Sequence, residues 1–340
     1  MAAARMYVIV IACLMSLSHQ QAESAPWRSR GVHRRSMQAQ SDEASLRAAL
    51  LNPNVTSFDL TRNITLTASL PYRGSSFTLN GKCAGSRCVI SGVKRFSCFR
   101  GIGSWTFSQV IIQECRSTNR SLADAGGAAI NIGNGISSGS LRVSDSIIRW
   151  NTASFRGGGV GVWSGRLNIE RCDFIENAAQ FGGAVSLNTF GRAYLTGSNF
   201  LRNRAGNAGG AIFSFEGTVN ETTNCRFEGN TAGRTGGAIE LQMSYAYTAT
   251  LAKCTFIGNR AGLAGGAVNV ADFHVEKRFC SVTWQNNTIG TGAVNHVSVG
   301  PSDLSITTGV YFCPDVPQGI TVIETRFGPY IKTLCSGCPA

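Results

Sequence analysis

The chain has 340 residues, of which 40 are glycine, 43% are hydrophobic and only 15% are charged. This balance excludes an intrinsically disordered chain, which needs low hydrophobicity and high charge, and glycine is too scarce for a collagen. The formal net charge of +12 permits acidic polysaccharides, nucleic acids or membrane surfaces as partners without choosing among them.

Residues 1–24 have the pattern of a secretory signal peptide. Arg5 precedes an apolar core at residues 6–17, and small residues follow at Ala22 and Ser24, where a signal peptidase reads the chain. The core is shorter than the roughly 18 apolar residues of a transmembrane helix, so we expect secretion rather than a membrane anchor, and no transmembrane segment. Five sequons are then candidate N-glycosylation sites: Asn54, Asn63, Asn119, Asn220 and Asn286.

Eleven of the 12 cysteines lie beyond residue 24. In a secreted chain this content predicts a disulfide framework, and the odd number leaves a free thiol or an intermolecular bridge. Cys335 and Cys338 form a CxxC motif, but neither a second CxxC nor a pair of histidines accompanies it. Disulfides are therefore favoured over a zinc site, and we predict neither a metal nor a cofactor.

The chain after the signal begins with segments that show no repeat. Residues 25–40 carry four arginines without periodicity, and we interpret them as a flexible basic arm. Residues 41–51 begin with serine, have acids in the first turn and place Leu46, Ala49 and Leu50 on one face, which predicts a short amphipathic helix. Short β segments follow, at residues 57–60, 64–66, 76–79 and 88–91.

A repeat of 26–29 residues is clear over about residues 105–295. Its first mark is an apolar or aromatic residue followed three places later by asparagine, as in Phe200 and Asn203. Its second mark is a glycine pair and a short apolar strand, as from Gly209 to Ile212. The asparagines of the five clear repeats are Asn151, Asn177, Asn203, Asn230 and Asn259.

The repeat predicts a parallel β-helix. Residues after each glycine pair alternate between apolar and other types, and no helical period appears within the unit. Such a strand buries its apolar face only when each unit stacks on the previous one, with strands about 4.8 Å apart. We therefore expect one solenoid domain of about ten turns over residues 41–300. The N-terminal helix would cover its first turn, and residues 301–340 would cap the other end.

Stacking assigns roles to two columns of residues. The five repeat asparagines are predicted to hydrogen-bond from turn to turn as a structural ladder. Cys225 and Cys254 each precede a repeat phenylalanine by two residues. We predict a disulfide between them, because stacking places their Cα atoms about 4.8 Å apart, within the range that a disulfide tolerates.

The two marks, FxxN and GGA(I/V), resemble the polymorphic outer-membrane protein repeat of chlamydiae, which also occurs in secreted proteins of other organisms, algae included. Residues 59–92 are similar to the leading turns of secreted pectate-lyase-like β-helices. The resemblance implies a right-handed parallel β-helix exposed at a cell surface, with adhesion as the usual role.

A carbohydrate-active enzyme on the same scaffold, either a pectate-lyase-like lyase or a glycoside hydrolase, is the main alternative. Such enzymes need clustered aspartates, as calcium ligands or as acid and base, whereas no two aspartates are adjacent here. The best acidic group is Glu170, Asp173 and Glu176, and the next repeat has no acid in those columns. The sequence therefore assigns no catalytic residue.

Strand alternation offers one candidate binding surface. If Ile212 and Ser214 face inward, Phe213 and Phe215 face outward, and stacking gathers further aromatic residues beside them. The resulting strip is predicted to be exposed and to bind glycans, and consists of Trp163, Phe190, Phe213, Phe215, Tyr245, Tyr247 and Phe273. The alternative is that loops fold over these rings as small satellite cores.

These patterns favour a secreted, cell-surface or cell-wall protein that acts in adhesion or matrix contact. The expected partner is a polysaccharide or a cell-surface glycoprotein. The arginines of the repeats fall in different columns, so no basic stripe for nucleic acid forms. A purely structural wall component without a ligand stays open, and the sequence does not indicate an oligomeric state.

Overall fold

The computed structural model describes residues 42–118, 126–134, 136–244, 248–273, 276–300, 309–322, 331–336 and 338. Within them the chain forms an all-β parallel solenoid of about nine turns with one short helix, at residues 42–51. The predicted parallel β-helix and its N-terminal helix are thereby confirmed. The predicted signal peptide and basic arm lie outside the described residues.

Successive turns add hydrogen-bonded parallel strands to four sheets, which we call A, B, C and D. Each repeat passes through sheet A, then B, then D and finally C. Sheet A contains the described strands Ser57–Leu60, Phe77–Gly81, Gly103–Ser108, Gly139–Ser144, Arg166–Glu170, Arg192–Thr196, Thr218–Thr223, Ala249–Ala252, Lys277–Cys280, Val310–Cys313 and Ile331–Thr333. Sheet B contains Ile64–Thr65, Cys88–Ser91, Val110–Gln113, Ile147–Arg149, Asp173–Ile175, Asn199–Leu201, Arg226–Glu228, Thr255–Ile257 and Thr283–Gln285.

The other two sheets form the rest of each turn. Sheet D contains the described strands Arg116–Ser117, Thr152–Ala153, Ala178–Phe181, Arg204–Ala208, Thr231–Ala232 and Arg260–Ala261. Sheet C contains Tyr72–Arg73, Phe99–Gly101, Ile130–Ile132, Val160–Trp163, Val185–Asn188, Ile212–Phe215, Ile239–Ser244, Val268–Phe273, Val297–Val299 and Ile320–Val322.

The interior of the solenoid contains a column of stacked aromatic rings. Phe174 pairs in register with Phe200, and their ring centroids lie 5.0 Å apart with planes 11° from parallel. The stack continues through Phe227 and Phe256 to Trp284 at centroid distances of 4.8, 4.7 and 4.9 Å. The four phenylalanines are fully buried, so each ring excludes water from the faces of its neighbours.

The glycine pair forms the sharp turn between sheets D and C. Gly209 has a φ of +67°, a left-handed conformation that glycine adopts without steric cost. At Gly210 an added Cβ would lie 2.0 Å from the carbonyl oxygen of Gly237 in the next turn. One glycine is thus required for the backbone angle and the other for close approach of successive turns.

The N-terminal helix packs onto the first turn. Leu46 and Leu50 are buried within the hydrophobic core. Nη1 of Arg73, a residue of sheet C, donates hydrogen bonds to the carbonyl oxygens of Ala49 and Leu50 at 2.9 and 3.2 Å, which satisfies acceptors at the end of the helix. The helix therefore covers the first turn with both apolar and polar contacts. No helix in the described part of the chain has the length and apolar character to cross a membrane.

Parallel strands continue beyond residue 300, where the sequence predicts the start of a cap. Val310–Cys313 pairs with Lys277–Cys280, and Ile331–Thr333 pairs in turn with Val310–Cys313. Ile320–Val322 extends sheet C. The alternating apolar residues of these strands allow stacking to continue without the FxxN and glycine marks, so the solenoid extends further than the repeat.

Candidate functional site

The turn between sheets D and C brings the end of sheet D against the outer face of sheet C. Arg156 and Phe181 hold equivalent positions there in neighbouring turns and are joined by a β-bridge. Phe213 projects from sheet C one turn later, and its ring centroid is 4.9 Å from that of Phe181. Side chains of three successive turns therefore meet at one corner. We call this group the corner cluster: Phe155, Arg156, Phe181, Asn188, Phe213 and Phe215.

Strand alternation explains why two phenylalanines join the cluster. Ile212 and Ser214 are fully buried and face the interior, so Phe213 and Phe215 face outward. In register, Phe213 lies beside Ser186 of the preceding turn and Phe215 lies beside Asn188. Facing outward does not make Phe213 exposed, because the ring of Phe181 packs on it.

The predicted exposed aromatic strip needs a correction at its centre. Phe213 is only 2% exposed, and Phe215 and Trp163 are partly covered. Phe190, by contrast, is 56% exposed. The satellite-core alternative therefore describes Phe213. The remaining members of the predicted strip lie outside the described residues: Tyr245, Tyr247 and the side chain of Phe273.

Arg156 is the cation of the corner cluster. Its guanidinium carbon lies 5.0 Å from the ring centroid of Phe155, 5.8 Å from that of Phe213 and 5.4 Å from that of Phe215. Nη1 donates a hydrogen bond to Oδ1 of Asn188. The guanidinium is thus held by ring faces and by one neutral amide.

The charge of Arg156 has no ion-pair partner among the described residues. The side chain is 9% exposed, its Nε is enclosed without a hydrogen bond, and none of the described carboxylates lies within 4.0 Å. Burial lowers the pKa of Arg156, while the negative charge of Glu216 acts in the opposite direction. A buried cation without a counter-ion is costly, and this arrangement is suited to an anion.

A ladder of asparagine amides runs through the turn between sheets B and D. Nδ2 of Asn203 donates to Oδ1 of Asn230 at 3.0 Å and to the carbonyl of Phe174 at 2.9 Å. Oδ1 of Asn203 accepts from the backbone N–H and Nδ2 of Asn177 at 3.0 and 3.1 Å. Equivalent amide bonds join the fully buried residues Asn151, Asn177, Asn203, Asn230, Asn259 and Asn287. These amides face the protein interior and bond to one another and to the backbone.

The asparagine ladder meets an imidazole at its C-terminal end. Nδ2 of Asn287 lies 3.2 Å from Nδ1 of His296, and the His296 ring lies over Trp284 with centroids 6.1 Å apart. Because Nδ2 of Asn287 is a donor, Nδ1 must accept. Burial lowers the pKa of His296, which favours the neutral ring that this contact requires.

Four disulfides join eight of the described cysteines: Cys83–Cys88, Cys98–Cys115, Cys280–Cys338 and Cys313–Cys335. The two cysteines of the CxxC motif therefore have different partners, and the predicted disulfide framework is present. Among the described residues, no group of three or more histidines, cysteines or acids could hold a metal ion.

The predicted bridge between Cys225 and Cys254 is wrong in the structure, where both are buried free thiols, as is Cys172. Side chains at equivalent positions of stacked parallel strands point the same way, which is not the geometry of a bridge. The thiols instead donate to backbone carbonyls, from Cys225 to Thr223 at 3.4 Å and from Cys254 to Thr222 at 3.3 Å.

The other predicted residues are dispersed over the solenoid. Asn54, Asn63 and Asn286 are exposed, Asn220 is half-buried, and Asn119 lies outside the described residues, so glycosylation stays a prediction. The three acidic residues that the sequence singles out have separate partners. Glu170 forms an ion pair with Arg142 and Glu176 with Arg202, and Asp173 accepts a hydrogen bond from Asn199.

Sequence reasoning missed Arg156, Phe181 and Asn188. A signal did exist, because the positions equivalent to Arg156 in three later turns hold Ala208, Thr235 and Ala264. After Phe181 the column continues with these small residues, so the long cation of Arg156 is a departure from the repeat. The contacts of Arg156 could not be predicted from the sequence, because the corner cluster joins residues that are distant along the chain.

Comparison with known proteins finds one similarity. Residues 224–242 match the family model of the Chlamydia polymorphic membrane protein (Chlamydia_PMP) repeat. The segment contains Phe227, Asn230 and the glycine pair from Gly236, which are the two marks of the repeat. No curated protein and no solved structure is significantly similar to the chain. The chain is thus a parallel β-helix whose repeat resembles that of the chlamydial polymorphic membrane proteins.

Proposed function

We propose that the protein is a secreted or cell-surface β-helix that acts in adhesion or in contact with an extracellular matrix or cell wall, and that it binds glycans at the corner cluster. The partner is a polysaccharide or the glycan of a cell-surface glycoprotein. Four disulfides are typical of proteins that fold in an oxidising compartment. The repeat resembles that of a surface-associated family.

One row of side chains carries the proposal. Trp163 lies in register with Asn188 of the next turn, and Asn188 lies in register with Phe215 of the turn after. The two rings are partly exposed, whereas Asn188 between them is buried and holds Arg156 by a hydrogen bond. Aromatic faces bury area against a partner at low entropic cost, while the neighbouring Arg156 offers a polar group that orients a ligand.

Binding to a polysaccharide panel tests this function. We would measure retention and cleavage by the chain that begins at residue 25. The double variant Trp163→Ala and Phe215→Ala is expected to bind about tenfold more weakly than the wild type, because both rings of the row are lost. Its melting temperature should change little, since both rings are partly exposed.

Tyr194 provides a matched control on sheet A. Its ring lies under Arg166, with the guanidinium carbon 4.0 Å from the centroid, so Tyr194→Ala removes an aromatic residue beside an arginine elsewhere on the solenoid. Its binding should equal that of the wild type. Equal weakening by both variants would refute the site, and turnover of a polysaccharide would favour the enzyme instead.

A further inference from the structure

Two donors of the Arg156 guanidinium have no partner among the described residues. Nη1 bonds to Asn188, whereas Nε and Nη2 form no hydrogen bond. Nε is enclosed, whereas Nη2 is not among the enclosed unpaired atoms. Nη2 is therefore the donor that an anion can reach.

Three other arginines of the solenoid have partners for their guanidinium donors. Arg171 and Arg202 are exposed, and each is paired with a carboxylate of the preceding turn, Asp145 and Glu176. Arg73 is buried like Arg156, but its guanidinium donates to several backbone carbonyls. Arg156 combines the burial of Arg73 with neither form of compensation.

The surroundings of Arg156 increase the effect of its charge on a ligand. The rings of Phe155, Phe213 and Phe215 flank the guanidinium and keep water from its faces, and a charge–charge contact is stronger where the local dielectric is low. The charge of Glu216 acts on Arg156 without an ion-pair contact. An incoming anion is thus attracted by Arg156 and opposed by Glu216.

We propose that Nη2 of Arg156 binds the carboxylate of an acidic sugar, so that the corner cluster selects anionic glycans. This inference rests on the proposed function and narrows it to sugars that carry a carboxylate. The partly exposed rings of Trp163 and Phe215 offer the surface on which the sugar ring lies. The acid is either a uronate within a polysaccharide or a terminal sialic acid, which share the same chemistry.

Ligand pairs that differ in the carboxylate test the inference directly. Alginate oligomers are compared with the same oligomers after esterification of the carboxyl groups, and sialyllactose is compared with lactose. The wild-type chain should bind at least one acidic member about tenfold more tightly than its neutral counterpart. The two pairs distinguish a uronate from a sialic acid as the source of the anion.

Charge-matched variants separate the site from the basic character of the whole chain. Arg156→Gln should remove the preference for the acid, whereas Arg166→Gln, with the same net charge, should keep it. Arg156→Lys retains the charge without the planar guanidinium that the three rings flank, and should lose most of the preference. Glu216→Gln should increase affinity for the acid, because it removes the opposing charge.

Each outcome bears on the inference. An unchanged preference in Arg156→Gln, or equal losses in Arg156→Gln and Arg166→Gln, overturns it, as does equally tight and equally Arg156-dependent binding of polyglutamate. If Arg156→Gln does not fold, judged by its melting temperature, Arg156→Lys and Glu216→Gln decide. If neutral and acidic glycans bind equally well, only the inference is refuted. If no glycan binds, the proposed function is refuted as well.

Discussion

Replacing Asn203 by leucine removes four hydrogen bonds from the interior of the solenoid while keeping the number and branching of the side-chain heavy atoms. Two are donated by Nδ2, to Asn230 and to the carbonyl of Phe174, and two are accepted by Oδ1 from Asn177. The backbone N–H of Asn177 is then buried without its acceptor. Asn177 keeps the hydrogen bond from its own Nδ2 to the carbonyl of Ile148, so the loss is confined to the hydrogen bonds that Asn203 makes.

The expected loss of stability is about 3 kcal/mol. Each intramolecular hydrogen bond contributes a net ~0.5–1.5 kcal/mol, and an orphaned buried donor adds a desolvation penalty of a similar size. The greater hydrophobicity of leucine offsets part of this loss, by roughly 1 kcal/mol. The estimate is large compared with the ±0.5 kcal/mol typical of surface substitutions.

Urea unfolding and amide exchange measure the effect. Asn199→Leu is the matched control, because Asn199 faces outward on sheet B and donates a single side-chain bond, to Asp173 at 2.8 Å. It should cost less than about 1 kcal/mol. In the Asn203→Leu variant the amide of Asn177 should also lose its protection from hydrogen exchange.

Two results would refute this account of the asparagine column. One is a loss for Asn203→Leu that does not exceed that of Asn199→Leu, which would mean that the buried amides contribute little. The other is an unchanged unfolding midpoint together with abolished glycan binding, which would place Asn203 in a ligand site rather than in the architecture.

Three further predictions follow from buried titratable groups. Burial lowers the pKa of Lys277 from its ordinary value of 10.5 to about 7. Between these two pH values the unfolded state binds more protons than the folded state, so stability should rise with pH. Lys277→Met should abolish this rise, measured as the urea midpoint. The pKa of His296 is also lowered, so stability should fall as the pH drops below about 6.5, and a His296→Asn variant should lack this part of the fall in melting temperature. Burial raises the pKa of Cys172 to about 12, so iodoacetamide at pH 8 should modify it only after unfolding, as mass spectrometry would show.

The fold was predictable because stacking brings equivalent residues of successive repeats together. A column such as Phe174, Phe200 and Phe227 in the sequence becomes a physical stack. The end of the solenoid was less predictable, because strands such as Val310–Cys313 need only alternating apolar residues to extend it. The FxxN and glycine marks of the repeat therefore end before the solenoid does.

The site was harder to predict because direction and exposure are different properties. Alternation correctly turns Phe213 outward, but only the path of the preceding turns shows that Phe181 covers it. In the same way, column position places Cys225 near Cys254 without aiming one thiol at the other. Contacts between different columns, such as that of Arg156 with Asn188, have no periodic signal at all.

The position of the disulfides has a consequence for how the solenoid comes apart. Cys83–Cys88 and Cys98–Cys115 lie in its first turns, and Cys280–Cys338 and Cys313–Cys335 lie in its last. The described turns between them carry no disulfide, since Cys172, Cys225 and Cys254 are free thiols. A stack of units that contact only their neighbours ordinarily frays from its ends, where each unit has one neighbour instead of two.

At the C-terminal end the cross-links are placed where fraying would start, and while they are intact unfolding from that end is blocked. At the N-terminal end the strands of residues 57–73 precede every disulfide, so fraying there can proceed only as far as Cys98–Cys115. After reduction of the disulfides, the end turns are the weakest units and can unfold one by one. Outside a reducing environment the turns from Cys98–Cys115 to the C-terminal disulfides are thus protected against stepwise unfolding.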